Sequence, residues 1–346
     1  MCGTGQSKSP FAIQVANKEG GVQYQGGSNT TRYTLGASAS AIYYTDEIGD
    51  DNDDFFWNAR LNAGIIHRAT RQTTISNRAY LAYEIEPDNS IGASVSRRAD
   101  QYIYGYNSLS LSHAWSRRFS TVTSLTISGI SYDGGAFDGE NRISVTLGNQ
   151  FRYQYNRLTT LVGEHRHTWT DYEESDLGYT GHHFLVGADH LFSEISRGTI
   201  RVGAEVRDLD RGGDTSNPYL EASYIRDMSE NFQLRWVGRY GLEDSELGSY
   251  ETRHSFRTAL TGNYQFDERT IGTASLTYVH SEFEDSTVAG IDDMDEDAFS
   301  LYLGLSYLLY DNVRLNGGYS FTTLSSEIPV RDYDRHRLHL GVTASF

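Results

Sequence analysis

Apolar and polar residues alternate with a period of two along most of the chain. From Phe232 to Tyr240 every second residue is apolar or glycine, and glutamine, arginine and valine occupy the positions between them. The segments Ile200–Arg207 and Val313–Thr322 repeat this alternation. Successive side chains of a β-strand point to opposite faces, so the period predicts strands with one apolar and one polar face. No segment carries an apolar stripe at the 3.6-residue period, and almost no helix is predicted.

The alternating segments are long. A typical strand of a soluble protein has about 5–6 residues, whereas the alternation here persists for about 10–14, as between Glu251 and Phe266. That length is needed to cross a bilayer at a tilt. A soluble sandwich would show the same period with its charged face in water, so the period alone leaves that alternative open. The segment length favours a membrane barrel.

The connectors between the predicted strands alternate between short and long. Short ones lie near Asn156-Arg157 and Asp267-Glu268, and long ones cover 87–99 and 284–296. Transmembrane barrels have short turns at one end and longer loops at the other. The sequence therefore predicts an all-β fold, a transmembrane antiparallel up-and-down β-barrel of about 16 strands. The barrel is expected to cover residues 31–346, after an N-terminal segment (residues 1–30) that is flexible or plug-like.

Composition removes several other classes of protein. The chain has 29 basic and 46 acidic residues, a net charge of −17, which argues against nucleic acid as a partner. No run of 18 apolar residues exists, so a helical membrane protein is excluded. The single cysteine, Cys2, excludes an intrachain disulfide framework. Aromatic residues make up 13% of the chain, which argues against disorder.

The polar face of the predicted strands is rich in arginine. The alternation assigns these residues to the lumen: Arg60, Arg78, Arg152, Arg166, Arg201, Arg207, Arg235, Arg239, Arg253, Arg257, Arg314 and Arg337, with Glu84, Glu164, Glu205 and Glu221. A barrel of about 16 strands is wide enough for an aqueous channel, and arginine binds carboxylate and phosphate groups. One interpretation is a pathway for anionic or polar solutes. The alternative is that the arginines pair with the glutamates and fill the barrel.

Catalysis and metal binding have less support. The chain contains no Gly-x-Ser-x-Gly motif, and no nucleophile–base pair can be placed, so the protein is not predicted to be an enzyme. Two strands joined near residue 176 bring His167 close to His182 or its neighbour. Zinc or copper suits such a pair, but a metal site usually needs three or four ligands. Because the sequence places no third ligand, no metal site and no cofactor is predicted.

The C-terminal segment His339-Leu-Gly-Val-Thr-Ala-Ser-Phe346 resembles the β-signal of outer-membrane proteins. The polar residue is His339, the glycine is Gly341, and the terminal aromatic residue is Phe346. The resemblance implies recognition by the barrel-assembly machinery, contact with outer-membrane lipid and a location in the bacterial outer membrane.

Three further segments resemble a β-barrel porin family that is linked in some bacteria to exopolysaccharide export. They are Tyr83–Asp88, Tyr104–Asn107 and Tyr333–Phe346. The resemblance implies a porin-like channel whose cargo is an anionic or polar solute or a polysaccharide. The alternative is a closed structural or surface-interaction barrel with acidic extracellular loops. The oligomeric state is left open.

Overall fold

The computed structural model describes residues 12–43, 55–84, 101–133, 141–243, 250–286, 293–327 and 331–345. The regular elements in these ranges are long strands. They are β1 Ala12–Gly27, β2 Thr31–Tyr43, β3 Phe55–Arg68, β4 Thr73–Glu84, β5 Tyr102–Ala114, β6 Phe119–Tyr132, β7 Arg142–Gln154, β8 Thr159–Tyr172, β9 Tyr179–Ser193, β10 Ser196–Leu209, β11 Asp214–Ser229, β12 Phe232–Glu243, β13 Tyr250–Gln265, β14 Thr270–Ser286, β15 Met294–Tyr310, β16 Val313–Ser326 and β17 Tyr333–Ser345. Within the described ranges, no helix is long and apolar enough to cross a membrane.

The 17 strands form one closed ring. Each strand pairs antiparallel with the next, from β1–β2 to β16–β17. The ring is completed by β17 and β1, which run parallel, with Val342 opposite Gly20 and Ala344 opposite Val22. Hydrocarbon offers no hydrogen-bond partners, so a sheet that crosses a membrane must have no free edge. The prediction of an all-β transmembrane barrel is confirmed.

The wall begins at Ala12 rather than at residue 31. Ala12–Gly27 pairs with both β2 and β17, so the barrel has 17 strands instead of an even 16. This part of the predicted N-terminal segment therefore belongs to the wall, and residues 1–11 lie outside the described residues. The alternation in β1 is clear only over Val22–Gln25, and two glycine pairs interrupt the strand. The period-two signal was therefore too weak to reveal it.

Short and long connectors lie at opposite ends of the barrel, as the sequence predicted. The connectors that follow odd-numbered strands contain two to four residues, and those that follow even-numbered strands contain four to seventeen. The acidic loops expected from the sequence include two segments, residues 46–54 and 292–297. The segment around Asp46–Asp54 lies outside the described residues, whereas Asp295 and Asp297 belong to β15.

Five of the short turns are built in the same way. A side-chain oxygen accepts hydrogen bonds from the backbone N–H groups two and three residues further along the chain. In the turn before β8, Asn156 Oδ1 accepts from Leu158 at 2.8 Å and from Thr159 at 2.7 Å. The residues in this role are Ser28, Thr70, Ser116, Asn156 and Asp267. Such bonds satisfy backbone donors before the next strand begins.

The outer face of the wall is apolar and bounded by aromatic residues at both ends. Exposed side chains such as Val186, Leu303 and Leu305 cover its middle. Exposed aromatic residues at the ends of the strands include Trp57 and Trp169 on the long-connector side and Trp115, Tyr155 and Phe266 on the short-turn side. This arrangement is the lipid-facing belt and aromatic girdle of a membrane barrel.

The short-turn girdle includes three matched threonine–histidine pairs. In each pair a threonine at the start of a strand faces a histidine on the next strand, with Oγ1 and Nδ1 2.8–2.9 Å apart. The pairs are Thr31–His67, Thr73–His113 and Thr159–His190. A histidine at the edge of the apolar belt needs such a partner, because a buried polar atom without one is costly.

Candidate functional site

The register places all the predicted arginines and glutamates on the face opposite to the exposed apolar residues. This face is concave. Arg166 on β8 contacts Tyr219 on β11, three strands away, and such a contact requires side chains that converge inside a curved wall. The candidate site is therefore the inner wall of the barrel, and most of its ion pairs lie on β7–β13.

The first group of charges lies toward the short-turn end. Arg152 and Arg201 both donate to the carboxylate of Asp189, Arg201 at 2.7 Å. Arg201 also lies 3.7 Å from Glu164. Arg201 is only 5% exposed, so its charge is held in the wall by these two carboxylates. This group ties β7, β8, β9 and β10 together.

The second group lies at mid-height. Arg166 donates to Glu164 at 2.6 Å and to Glu221 at 3.1 Å. Its Nη1 also donates to the phenol oxygen of Tyr219 at 3.1 Å, and the Tyr219 hydroxyl donates to Glu221 at 2.7 Å. The guanidinium of Arg239 lies over the ring of Tyr219, 5.6 Å from its centroid. Tyr219 therefore contacts charged residues from β8, β11 and β12.

The third group lies near the long connectors. Glu205 is 1% exposed and accepts from Arg207 at 2.5 Å, with His183 Nε2 at 3.2 Å on its other side. Arg207 also donates to the backbone carbonyl of Leu242 at 3.1 Å. These contacts join β9, β10 and β12 at the same level.

One carboxylate at this end serves two arginines. Glu243 accepts from Arg253 at 2.5 Å and from Arg257 at 3.1 Å. Elsewhere on the ring, Glu84 accepts two bonds from Arg60, and Glu296 accepts two from Arg331. Glu84 is 1% exposed, so it is well shielded from water by the side chains around it.

Four of the predicted lumen arginines stand apart from these pairs. Arg78, Arg235 and Arg239 are exposed and Arg314 is half-buried. Among the described residues, none of the four lies within 4.0 Å of a carboxylate oxygen in an ion pair. The pairing that the sequence left open is therefore present for one part of these arginines only. One set of arginines is neutralised in the wall, and a second set presents its charge to the lumen.

Sequence reasoning missed three of the carboxylates on the inner wall. Asp189 alternates with Phe184, Val186 and Ala188 on the outer face, so the period could have found it. Glu243 and Glu296 lie near the ends of β12 and β15, and the sequence assigned both residues to the adjoining connectors. Boundaries are the least reliable part of a sequence-based assignment.

The structure describes two of the three residues of the predicted C-terminal signal. His339 lies on the inner face of β17, where its ring stacks on Tyr302 with centroids 5.6 Å apart. Gly341 pairs with Asn316 of β16. Phe346 lies outside the described residues. The role of these residues as an assembly signal stays a prediction.

A closed β-wall, apolar outside and lined with arginine inside, defines an outer-membrane β-barrel. The model of a family described as "Putative beta-barrel porin 2" matches residues 28–346, so the chain belongs to that family. It is therefore a protein of the bacterial outer membrane. A comparison with curated proteins gives no match.

Several solved structures have a similar fold. The FrpB iron transporter from Neisseria meningitidis has a TM-score of 0.46 and 11% identity, with 87% of this chain and 59% of that chain covered. The siderophore receptor PirA from Pseudomonas aeruginosa has a TM-score of 0.41 and 9% identity, with 87% and 66% covered. The ferric-catecholate import receptor Fiu from E. coli has a TM-score of 0.42 and 8% identity, with 93% and 65% covered. The present chain spans about three fifths of the length of the first of these structures.

Proposed function

We propose that the protein is an outer-membrane channel that passes anionic or polar solutes through an arginine-lined lumen. The observation that carries the proposal is the group of arginines outside the ion pairs, Arg78, Arg235, Arg239 and Arg314. A barrel of 16–18 strands leaves room for water along its axis. Cations fixed on such a wall attract anions and repel other cations, because the low-dielectric wall focuses their field. The protein is accordingly a transport protein and not an enzyme.

The paired arginines support this function indirectly. Seven of the predicted arginines are neutralised by carboxylates of the wall: Arg60, Arg152, Arg166, Arg201, Arg207, Arg253 and Arg257. Their pairing holds the wall in one arrangement and leaves the four arginines outside the ion pairs to set the sign of the lumen. An anionic polysaccharide is also a polar, negatively charged molecule, so the same lumen would suit it as cargo. The net charge of the chain is −17, so the field of the lumen differs in sign from that of the whole molecule.

The test is ion selectivity in a planar bilayer across a gradient of potassium chloride. The refolded wild-type protein is expected to give steady conductance with a reversal potential that favours chloride. The double variant Arg235→Glu with Arg239→Glu is expected to lose that preference or become cation-selective. The control is Arg118→Glu, which reverses a charge in an exposed short turn instead of on the wall.

Two outcomes would contradict the proposal. A correctly inserted wild-type protein that never conducts would favour the closed structural barrel. Conductance whose selectivity is the same in the double variant would mean that these arginines do not set the field of the lumen. Heat-modifiable migration on a gel shows in each case that the variant has folded.

A further inference from the structure

Three imidazoles meet on the outer face of the barrel. His165 and His167 lie on β8, and His182 lies on β9. His165 Nε2 is 3.2 Å from His182 Nδ1, and His167 Nδ1 is 3.3 Å from the same atom. The ring centroids of His165 and His167 are 5.5 Å and 4.4 Å from that of His182. The fold therefore supplies the third histidine that the sequence alone could not place.

The strand register creates this cluster. His165 and His167 are two residues apart, so both side chains leave the same face of β8. His182 is directly opposite His167, and Phe184 is directly opposite His165. Directly opposed residues of an antiparallel pair have their Cβ atoms about 4.5–5.5 Å apart. Two imidazoles on one strand and a third across the ladder can thus converge on one point.

Two of the separations between ring nitrogens suit a metal ion. Zinc binds imidazole nitrogen at about 2.0–2.1 Å in a tetrahedral arrangement, which sets the nitrogens about 3.3 Å apart. Two of the three separations already have this value. The third, between His165 and His167, must shorten on binding. All three side chains are half-buried on the outer surface, so their rings have room to turn.

The cluster lies beside the aromatic girdle, where an imidazole nitrogen without a binding partner is energetically costly. His167 packs edge-on against Trp169, with centroids 4.2 Å apart, and Trp169 belongs to the aromatic girdle on the long-connector side. The two contacts of the cluster use only three of its six ring nitrogens. Polar atoms at the edge of an apolar belt are expensive unless they have a partner. A bound cation would occupy a nitrogen of each ring.

The connector above the cluster carries negative charge. Glu173, Glu174 and Asp176 are exposed in the loop between β8 and β9, and Asp171 is exposed at the end of β8. Clustered carboxylates raise the local concentration of cations. A divalent ion that approaches from the long-connector side would meet these residues before it meets the histidines.

We propose that His165, His167 and His182 form a three-histidine site for a divalent transition metal, with Zn²⁺ as the reference ion. Imidazole ligands select zinc, copper and nickel, whereas calcium and magnesium prefer oxygen. Three protein ligands leave a fourth position for water or for a donor group of another molecule. The site lies on the outer face, so this proposal is independent of what passes through the lumen.

The experiment is calorimetric titration of Zn²⁺ into the refolded full chain in detergent, without a polyhistidine tag. One ion is expected to bind per chain. His182→Ala is expected to weaken binding by at least about tenfold, since even loss of a residue that merely orients a ligand costs 10–100-fold. The matched control is His190→Ala, on the same face of β9 but outside the cluster, which should bind as the wild type does. Electron paramagnetic resonance of bound Cu²⁺ should show nitrogen coupling in the wild type and reduced coupling in His182→Ala.

A second cluster provides the decisive comparison. His280, Glu282 and Asp295, on β14 and β15, have potential ligand atoms within 4.8 Å of one another. If His280→Ala abolishes zinc binding and His182→Ala leaves it intact, the ion binds at that cluster and the proposal is wrong. Absence of zinc binding by folded wild-type protein in the micromolar range would also overturn it. Heat-modifiable migration establishes that each variant is folded.

Discussion

The guanidinium of Arg166 on β8 lies 3.1 Å from the phenol oxygen of Tyr219 on β11, so the two side chains bridge three strand intervals. Tyr219 in turn donates to Glu221, which also accepts from Arg166. The three residues form a closed triangle on the inner wall. Strands that share no backbone ladder are thereby coupled, because backbone bonds join each strand only to its immediate neighbours.

The first prediction concerns this triangle. Arg166→Met should lower the free energy of unfolding by about 2–3 kcal/mol, since it removes the nearer of the two cations that lie beside the buried Glu164. Tyr219→Phe removes only one hydroxyl and should cost about 1 kcal/mol. Urea unfolding in detergent micelles, followed by tryptophan fluorescence, measures both. Tyr224→Phe on the outer face is the control, and equal midpoints for all three variants would contradict the structural role of the triangle.

The second prediction concerns the buried carboxylate of Glu205. Glu205→Gln removes the carboxylate that accepts a hydrogen bond from Arg207 and should destabilise the barrel by about 3 kcal/mol, because a buried cation loses a counter-charge. Removing both charges, as Glu205→Gln with Arg207→Met, should recover part of this loss, because the cation that loses a counter-charge is then removed as well. A double-mutant cycle in urea tests the coupling. Strictly additive effects of the two substitutions would show that the residues do not act as a pair.

A third prediction links an ion pair to selectivity. Glu84→Gln removes a negative charge from the inner wall beside Arg60, whose side chain is 43% exposed. The reversal potential in a salt gradient should therefore move further toward chloride. Glu268→Gln in a short turn is the matched control and should leave the reversal potential unchanged. An unchanged reversal potential would mean that Glu84 does not act on the permeating ion, and a shift toward the cation would contradict the expected sign.

The fourth prediction concerns the turn between β13 and β14. The backbone N–H of Arg269 and the hydroxyl and N–H of Thr270 donate to Asp267, and these bonds hold the pKa of its carboxyl below the ordinary value. A carboxyl with a lowered folded-state pKa stabilises the fold above its unfolded pKa. That stabilisation is lost as the pH falls through the folded pKa. The unfolding midpoint should therefore fall at acidic pH below about 3.8.

The variant Asp267→Asn isolates that effect. Asn156 fills the same role in the turn before β8 without a charge, so asparagine at position 267 should keep both backbone bonds. The acidic loss of stability measured against the wild type should become smaller in this variant, whereas Asp267→Ala should be less stable at every pH. An identical pH profile for wild type and Asp267→Asn would show that the carboxyl contributes nothing through its charge.

Much of the fold could be predicted because its governing interaction is local. The alternation of apolar and polar residues around Trp236 or Leu303 is visible within a single strand. It arises because one face of the strand contacts lipid and the other faces a polar interior. The first strand escaped prediction since its glycine pairs carry no side chain to mark either face. Its place in the ring depends on β17, more than 300 residues further along the chain.

The sequence could predict which side chains of the candidate site point into the barrel, but not which residues they pair with. Parity identifies Arg201 or Glu205 as inward-facing residues without knowledge of any other strand. Parity does not state that Arg201 pairs with Asp189 or that Arg207 reaches Leu242, because these contacts depend on register and on side-chain reach across the curve. The outward histidine cluster shows the same limit. The sequence brought His167 near His182, but the contact of His165 with His182 depends on side-chain reach across the ladder between β8 and β9.

The parallel contact between β1 and β17 has a consequence for the two ends of the chain. Both strands run from the long-connector rim to the short-turn rim, so Ala12 enters the wall at one rim and Ser345 leaves it at the other. A barrel with an even number of strands has both ends of its wall on the same side of the bilayer. In this protein a label fused ahead of β1 and a label fused after β17 would report from opposite compartments.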